Sequence, residues 1–181
     1  MLRLKYYFEW LFYFLLFSLV AIVQLSFISS LPPVYFAINL PLTALLFSFL
    51  FFDRNNAVIV AIIMGFWLDI LNFNFFGLHI LVLVAIVFIL DFTLRNWLTN
   101  RSLYSFLVLS VLSAVIYNLF IYSLIGLWSS ESSGFNFFLF QLYFWQQLMW
   151  QMLWSGGFML LFFSLANSLS KHLKPFFLEK K

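Results

Sequence analysis

No cysteine occurs among the 181 residues. That excludes a disulfide framework and a thiolate metal site, and it leaves the redox compartment unmarked. Charge is scarce too. Only 8% of residues are Asp, Glu, Lys or Arg, against about 25% in a soluble domain. Histidine is confined to His79 and His172. There is no glycine-rich phosphate loop and no cluster with metal-ligand spacing. The net charge of +3 is too small and too scattered to indicate a nucleic-acid partner; its cations sit in short segments between apolar runs, where they report topology.

What fills the chain is hydrocarbon. The sequence is 65% hydrophobic, with 28 Phe and a mean hydropathy of +1.06. Its apolar residues fall into six stretches, at about 10–28, 34–52, 57–71, 77–97, 103–127 and 140–166. One crossing needs roughly 20 apolar residues, so six crossings use up the chain. The expectation is an all-α polytopic membrane protein, with residues 1–181 as a single integral-membrane domain. The first stretch is longer than a signal-peptide core of about 7–15 residues and lacks an Ala-x-Ala-type site after it, so it reads as an uncleaved span. Ser29–Pro33 and Asp53–Asn56 read as turns. Pro41, two residues after Asn39, should kink the second helix or delay its regular start. The last stretch exceeds one crossing, and its aromatic first turns suit an interface.

Six crossings place all nine cations on one side: Arg3, Lys5, Arg54, Arg95, Arg101, Lys171, Lys174, Lys180 and Lys181. The positive-inside rule then puts both termini in the cytoplasm. Phe suits the lipid-facing surfaces, and Trp and Tyr the interfaces.

The centre of interest is Met64–His79, MGFWLDILNFNFFGLH. Twelve residues beyond Ala57, Asp69 lies about 18 Å into a hydrocarbon core about 30 Å thick. An acid at such depth costs roughly 2.5–3.5 kcal/mol on insertion scales. Two readings offset that cost. The structural one, which the lack of a second buried acid favours, has Asp69 capping a neighbouring helix end or bonded to Asn and Ser of another span. The functional one makes it an ion, proton or partner contact. Gly65 lies one turn before it, and Gly77 opens the next apolar run.

Asp91 and Arg95, at i and i+4, are placed as an ion pair near the cytoplasmic interface. Gln147, Gln151 and Ser155, spaced by four, share a face of the sixth span, with Gln146 beside them and Gly156-Gly157 after. The fifth span offers Ser110, Ser113 and Tyr117. A polar face of this kind serves helix packing, at about 0.6 kcal/mol per hydrogen bond; the rival reading is the wall of a polar ligand pocket. His79 should bond to loop backbone near the outer interface, and His172 should face solvent.

Enzyme readings lack their parts. Ser155 has no embedded histidine beside it. Asp69 and Asp91 lie at different depths, which argues against a carboxylate dyad. The chain is therefore expected to be no enzyme, with no cofactor and no metal.

The stretch Asn55–Arg101 resembles the MreD family of rod shape-determining membrane proteins. The resemblance rests on Asn55-Asn56 as a polar turn, Met64-Gly65-Phe66-Trp67-Leu68-Asp69, the short connection Asn72–Phe76, Gly77-Leu78 opening the next span, and the basic ending at Arg95 and Arg101. It implies a non-enzymatic scaffold or regulator of rod shape and peptidoglycan elongation in the bacterial inner membrane. The implied partners are a single-span MreC-like protein, MreB and the RodA–transpeptidase pair, with lipid around the helices and no small-molecule ligand expected. In size and layout the chain is also similar to substrate-binding subunits of energy-coupling factor vitamin transporters. Those usually carry an Ala-x-x-x-Ala surface on the first span, where this chain has Ala21 alone.

Overall fold

The computed structural model describes residues 2–32, 35, 37–51, 54–72, 76–97, 103–128 and 142–170. They form six α-helices: α1 (Leu2–Ser26), α2 (Leu40–Phe51), α3 (Arg54–Leu71), α4 (Leu78–Asn96), α5 (Leu103–Trp128) and α6 (Leu142–Ser170), with a 3-10 turn at Ile28–Ser30 after α1. No strand occurs among the described residues. Residues 171–181, with His172, and residues 129–141, with Glu131, lie outside them.

Among the described residues three helices are long and apolar enough to cross a membrane: Arg54–Leu71, Leu78–Asn96 and Tyr104–Leu124. Within the second stretch Tyr35 is helical and residues 37–39 are not; helix α2 then begins at Leu40 and runs for 12 residues, about 18 Å at 1.5 Å each. The cause is local. The Asn39 side chain accepts the Leu42 N–H at 3.0 Å and so caps the helix. Pro41 then occupies the first turn, where a missing N–H leaves no intrahelical bond unmade. Of the two outcomes expected of Pro41, the chain adopts the delayed start.

The non-helical backbone before α2 is held by a side chain from α1. Gln24 donates through Nε2 to the Ile38 carbonyl at 2.8 Å and accepts the Leu40 N–H at 2.9 Å. One amide thus satisfies a peptide donor and a peptide acceptor, which irregular backbone requires when water is absent.

The antiparallel pair α3–α4 is the centre of the packing. Helix α1 and α2 lie against α3, α5 packs on α4, and α6 packs on α5, with α2 also reaching α5 and α6. Along α3, Ala57, Ala61, Gly65 and Asp69 are spaced by four and all are buried. This row lets neighbouring backbones approach closely. Opposite it, α4 fills the core with Val82, Leu83, Ile86, Val87 and Leu90, and α2 contributes Leu42, Leu45 and Leu46. The outer faces are equally apolar: Phe12, Leu15 and Leu19 on α1, Phe88 and Phe92 on α4, and Leu153 and Leu161 on α6 are all more than half exposed. A surface of that composition suits lipid rather than water.

Candidate functional site

Helix α4 begins without a capping side chain. Its N-cap is Gly77, at φ 95° and ψ −7°, a left-handed conformation that a Cβ would strain. The first amides of a helix need acceptors, and here they come from the preceding helix. Asp69 Oδ1 accepts the His79 N–H at 2.8 Å, and Oδ2 accepts the Gly77 N–H at 2.9 Å and the Ile80 N–H at 3.3 Å. His79 Nδ1 lies 2.8 Å from the same Oδ1. A carboxylate offers only acceptors, so the network assigns the ring proton to Nδ1.

Asp69 is 2% exposed and His79 5%. Charge-assisted hydrogen bonds contribute about 1.5–3 kcal/mol each, and an anion at a helix N-terminus gains up to ~2 kcal/mol when partly buried. Three amides and an imidazole therefore offset the cost of burying the acid. His79 departs from its expected place: it bonds to Asp69 rather than to loop backbone, because the α4 start is drawn down onto the end of α3.

Gly65 explains how that approach is possible. A Cβ there would stand 2.6 Å from Ile80 Cα and 2.7 Å from Ile80 N. Those are backbone atoms, which cannot swing aside. Residues 65 and 69 share a face of α3, and both address the same first turn of α4. Gly65 makes room for it and Asp69 caps it. At Gly77 the demand differs, since nothing lies within 4 Å and the positive φ alone calls for glycine.

Two further contacts were not legible in the motif. Trp67 Nε1 donates to Ser18 Oγ at 2.7 Å, and that hydroxyl donates to the Phe14 carbonyl at 2.6 Å, joining α3 to α1. At the opposite end of the hairpin, Asp91 accepts from Arg95 Nε at 3.0 Å and from Arg54 Nη1 at 3.2 Å. The second partner ties the start of α3 to the end of α4. Both guanidinium groups are substantially exposed, so each pair is worth no more than about 1 kcal/mol.

The glutamine face of α6 meets α5. Asn118 Nδ2 donates to Gln151 Oε1 at 2.7 Å, and the Tyr122 hydroxyl donates to Gln147 Oε1 at 3.1 Å. The numbers rise by four on one helix and fall by four on the other, as antiparallel packing requires. Ser155 is not part of this contact. It donates to the Met152 carbonyl of its own helix at 3.1 Å. Ser110 and Ser113 likewise turn back onto α5. Asn118 and Tyr122 were missed in the sequence, although their own four-residue spacing was the available signal.

Between these contacts lies a cavity of about 300 Å³, at the end of the bundle away from Arg54 and Asp91. Gln24, Asn39, Leu68, Asn72 and Tyr117 line it, together with Asn118, Tyr122, Gln147 and Gln151 of the α5–α6 contact. Thus the Asp69 motif, the Gln24 clasp and the glutamine face converge on one region. Every oxygen of Asp69 is engaged by donors, which suits holding rather than proton transfer.

A family model described as rod shape-determining protein MreD matches residues 4–169. No curated protein and no solved structure gives a significant match.

Proposed function

The chain belongs to the MreD family of bacterial membrane proteins, whose role is rod shape determination, and from that premise we propose that it acts as a helical scaffold in the cell-wall elongation complex. Its partners would be a single-span MreC-like protein and, through it, MreB and the RodA–transpeptidase pair. The observation that supports a scaffold is the use made of the polar groups in the Met64–His79 stretch: Asp69, His79 and the amides of Gly77 and Ile80 are spent on fixing one helix to the next.

In the inner membrane the chain would make six crossings with both termini cytoplasmic. Helices α1, α2 and α6 would complete the three long apolar ones, with lipid against the exposed Phe and Leu faces. Arg54, Arg95 and Asp91 would then lie toward the basic, cytoplasmic side, where anionic lipid adds about 1 kcal/mol per cation. The absence of native cysteine makes the test direct. Single Glu131→Cys and Arg101→Cys variants should label from opposite faces of the membrane. The role itself is tested by replacing the native gene with an Asp69→Asn version. Loss of rod shape, with loss of co-purification with tagged MreC, is the expected result. Rod-shaped cells with an intact MreC complex would overturn the proposal.

A further inference from the structure

Beyond the scaffold role, and independent of it, we propose that the exposed side of α4 and the arginine pair at its end form a defined site for one anionic glycerophospholipid. The lipid phosphate lies between Arg54 and Arg95, and an acyl chain follows Leu81, Ala85, Phe88 and Phe92. This is more than the general attraction of anionic lipid to cations, because the two arginines are held in place and an apolar track leads away from them.

The headgroup position comes first. One carboxylate holds both arginines: Arg95 Nε is 3.0 Å from Asp91 Oδ1, and Arg54 Nη1 is 3.2 Å from Oδ2. Each contact uses one N–H of its guanidinium and leaves the rest of the fork for another acceptor. The Arg54 and Arg95 side chains stay 43% and 66% exposed, against 18% for Asp91. Two cations and one anion leave a single net positive charge, and a phosphodiester brings a single negative one. Guanidinium forks suit phosphate oxygens, which they grip in pairs. A lone arginine at a span end swings toward water. These two are tethered at one point, so less side-chain freedom is lost when a phosphate joins them.

Depth and shape complete the case. Arg54 opens an apolar helix of 18 residues, and Arg95 nearly closes one of 19. At 1.5 Å per residue both helices approach the ~30 Å of a hydrocarbon core, so the pair lies at its boundary, where lipid phosphates are. From there Phe92, Phe88, Ala85 and Leu81 recur on the same face of α4 as Arg95. Leu81, Phe88 and Phe92 are more than half exposed, and the small Ala85 leaves a trough between Leu81 and Phe88. The track from Phe92 to Leu81 is about 16 Å long, about half the thickness of the core, which is the depth of one acyl chain. An apolar partner helix would answer the track and leave the charge unmet. Free phosphate would answer the charge and leave the track bare. A phospholipid answers both.

The test is native mass spectrometry of the full chain in neutral detergent, titrated with palmitoyl-oleoyl phosphatidylglycerol. Phosphatidylcholine with the same chains is the zwitterionic control, and glycerol phosphate is the headgroup without chains. The first phosphatidylglycerol should bind about fivefold or more tightly than phosphatidylcholine, and excess glycerol phosphate should not displace it. Arg54→Gln and Arg95→Gln should each weaken that first binding about fivefold, the worth of one cation at a membrane surface. Lys174→Gln removes the same charge elsewhere in the sequence and should leave it unchanged. Arg95→Lys keeps the charge and loses the fork, so it too should weaken binding. Joint replacement Phe88→Ala and Phe92→Ala should weaken it by removing the track. The arginine pairs are exposed and weakly stabilising, so these variants keep the fold. Equal affinity for the two lipids, displacement by glycerol phosphate, native affinity in Arg95→Lys or in the Phe88, Phe92 variant, or an equal loss in Lys174→Gln would overturn the proposal.

Discussion

Replacing Asp69 by Asn changes one oxygen into an NH2 group and removes one charge, and the consequences can be worked through atom by atom. In the native arrangement Oδ1 accepts the His79 N–H and faces His79 Nδ1, and Oδ2 accepts the Gly77 and Ile80 N–H groups. If the new NH2 replaces Oδ2, it points at two amide donors. If instead it replaces Oδ1, the His79 ring adapts by moving its proton to Nε2 and accepting, so that only the His79 backbone N–H is left unpaired. The second arrangement is the cheaper one. It leaves one buried amide orphaned, at about 1–3 kcal/mol, and it removes the anion from the helix N-terminus, at up to ~2 kcal/mol for a buried group. The loss should therefore be about 1–5 kcal/mol. Hydrogen exchange reads this directly. The amides of Gly77, His79 and Ile80 should exchange faster in Asp69→Asn, with His79 the most affected, while the α5–α6 contact stays protected. Thermal unfolding in detergent, followed by Trp fluorescence, should fall in parallel. Unchanged exchange at all three amides would refute the account of Asp69 as the cap of α4.

Other substitutions probe other contacts. Gly65→Ala places its methyl against Ile80 backbone atoms at 2.6 and 2.7 Å and should destabilise by about 1–3 kcal/mol. Gly156→Ala, whose Cβ would meet nothing nearer than Leu107 at 3.9 Å, should be neutral or mildly stabilising in the same unfolding assay, since Ala is the better helix former by about 1 kcal/mol. A double-mutant cycle on Asn118→Leu and Gln151→Leu should give a coupling energy of about 0.6 kcal/mol, and no more than ~1.7 kcal/mol; zero coupling would mean that the bond does not form in the membrane. Gln24→Met strips two backbone groups of their partner and should cost about 2 kcal/mol or more, visible as faster exchange of the Leu40 amide.

Much of the site could be read from residue spacing. The i, i+4 placing of Gly65 and Asp69 marks one face of one helix, and the same logic marks Gln147 and Gln151. Spacing does not say what such a face meets. Gly65 could have packed on any span, and nothing local singles out Ile80. The capping reading of Asp69 was available beside others, because a buried acid needs donors and an uncapped helix start has them. His79 was placed differently, since a histidine near a presumed interface has loop backbone within reach. The Arg54–Asp91 contact joins residues 37 apart in the chain, and it becomes visible only once α3 and α4 are folded into a hairpin. Ser155 and Gln151 are equivalent by spacing, yet one hydroxyl is short enough to bond its own helix while the longer amide reaches across.

Taken alone, the order of residues determined the solvent, the helical class and the family. Those follow from quantities that add along the chain: apolar content, run length, the positions of prolines and a short string of motif residues. Tertiary structure alone decided which amides Asp69 satisfies, which neighbour forbids a side chain at Gly65, and that three glutamines, three asparagines and two tyrosines from separate parts of the chain line one cavity. Hydrogen bonds act over about 3 Å, and the residues that make them here come from parts of the chain that only folding brings that close.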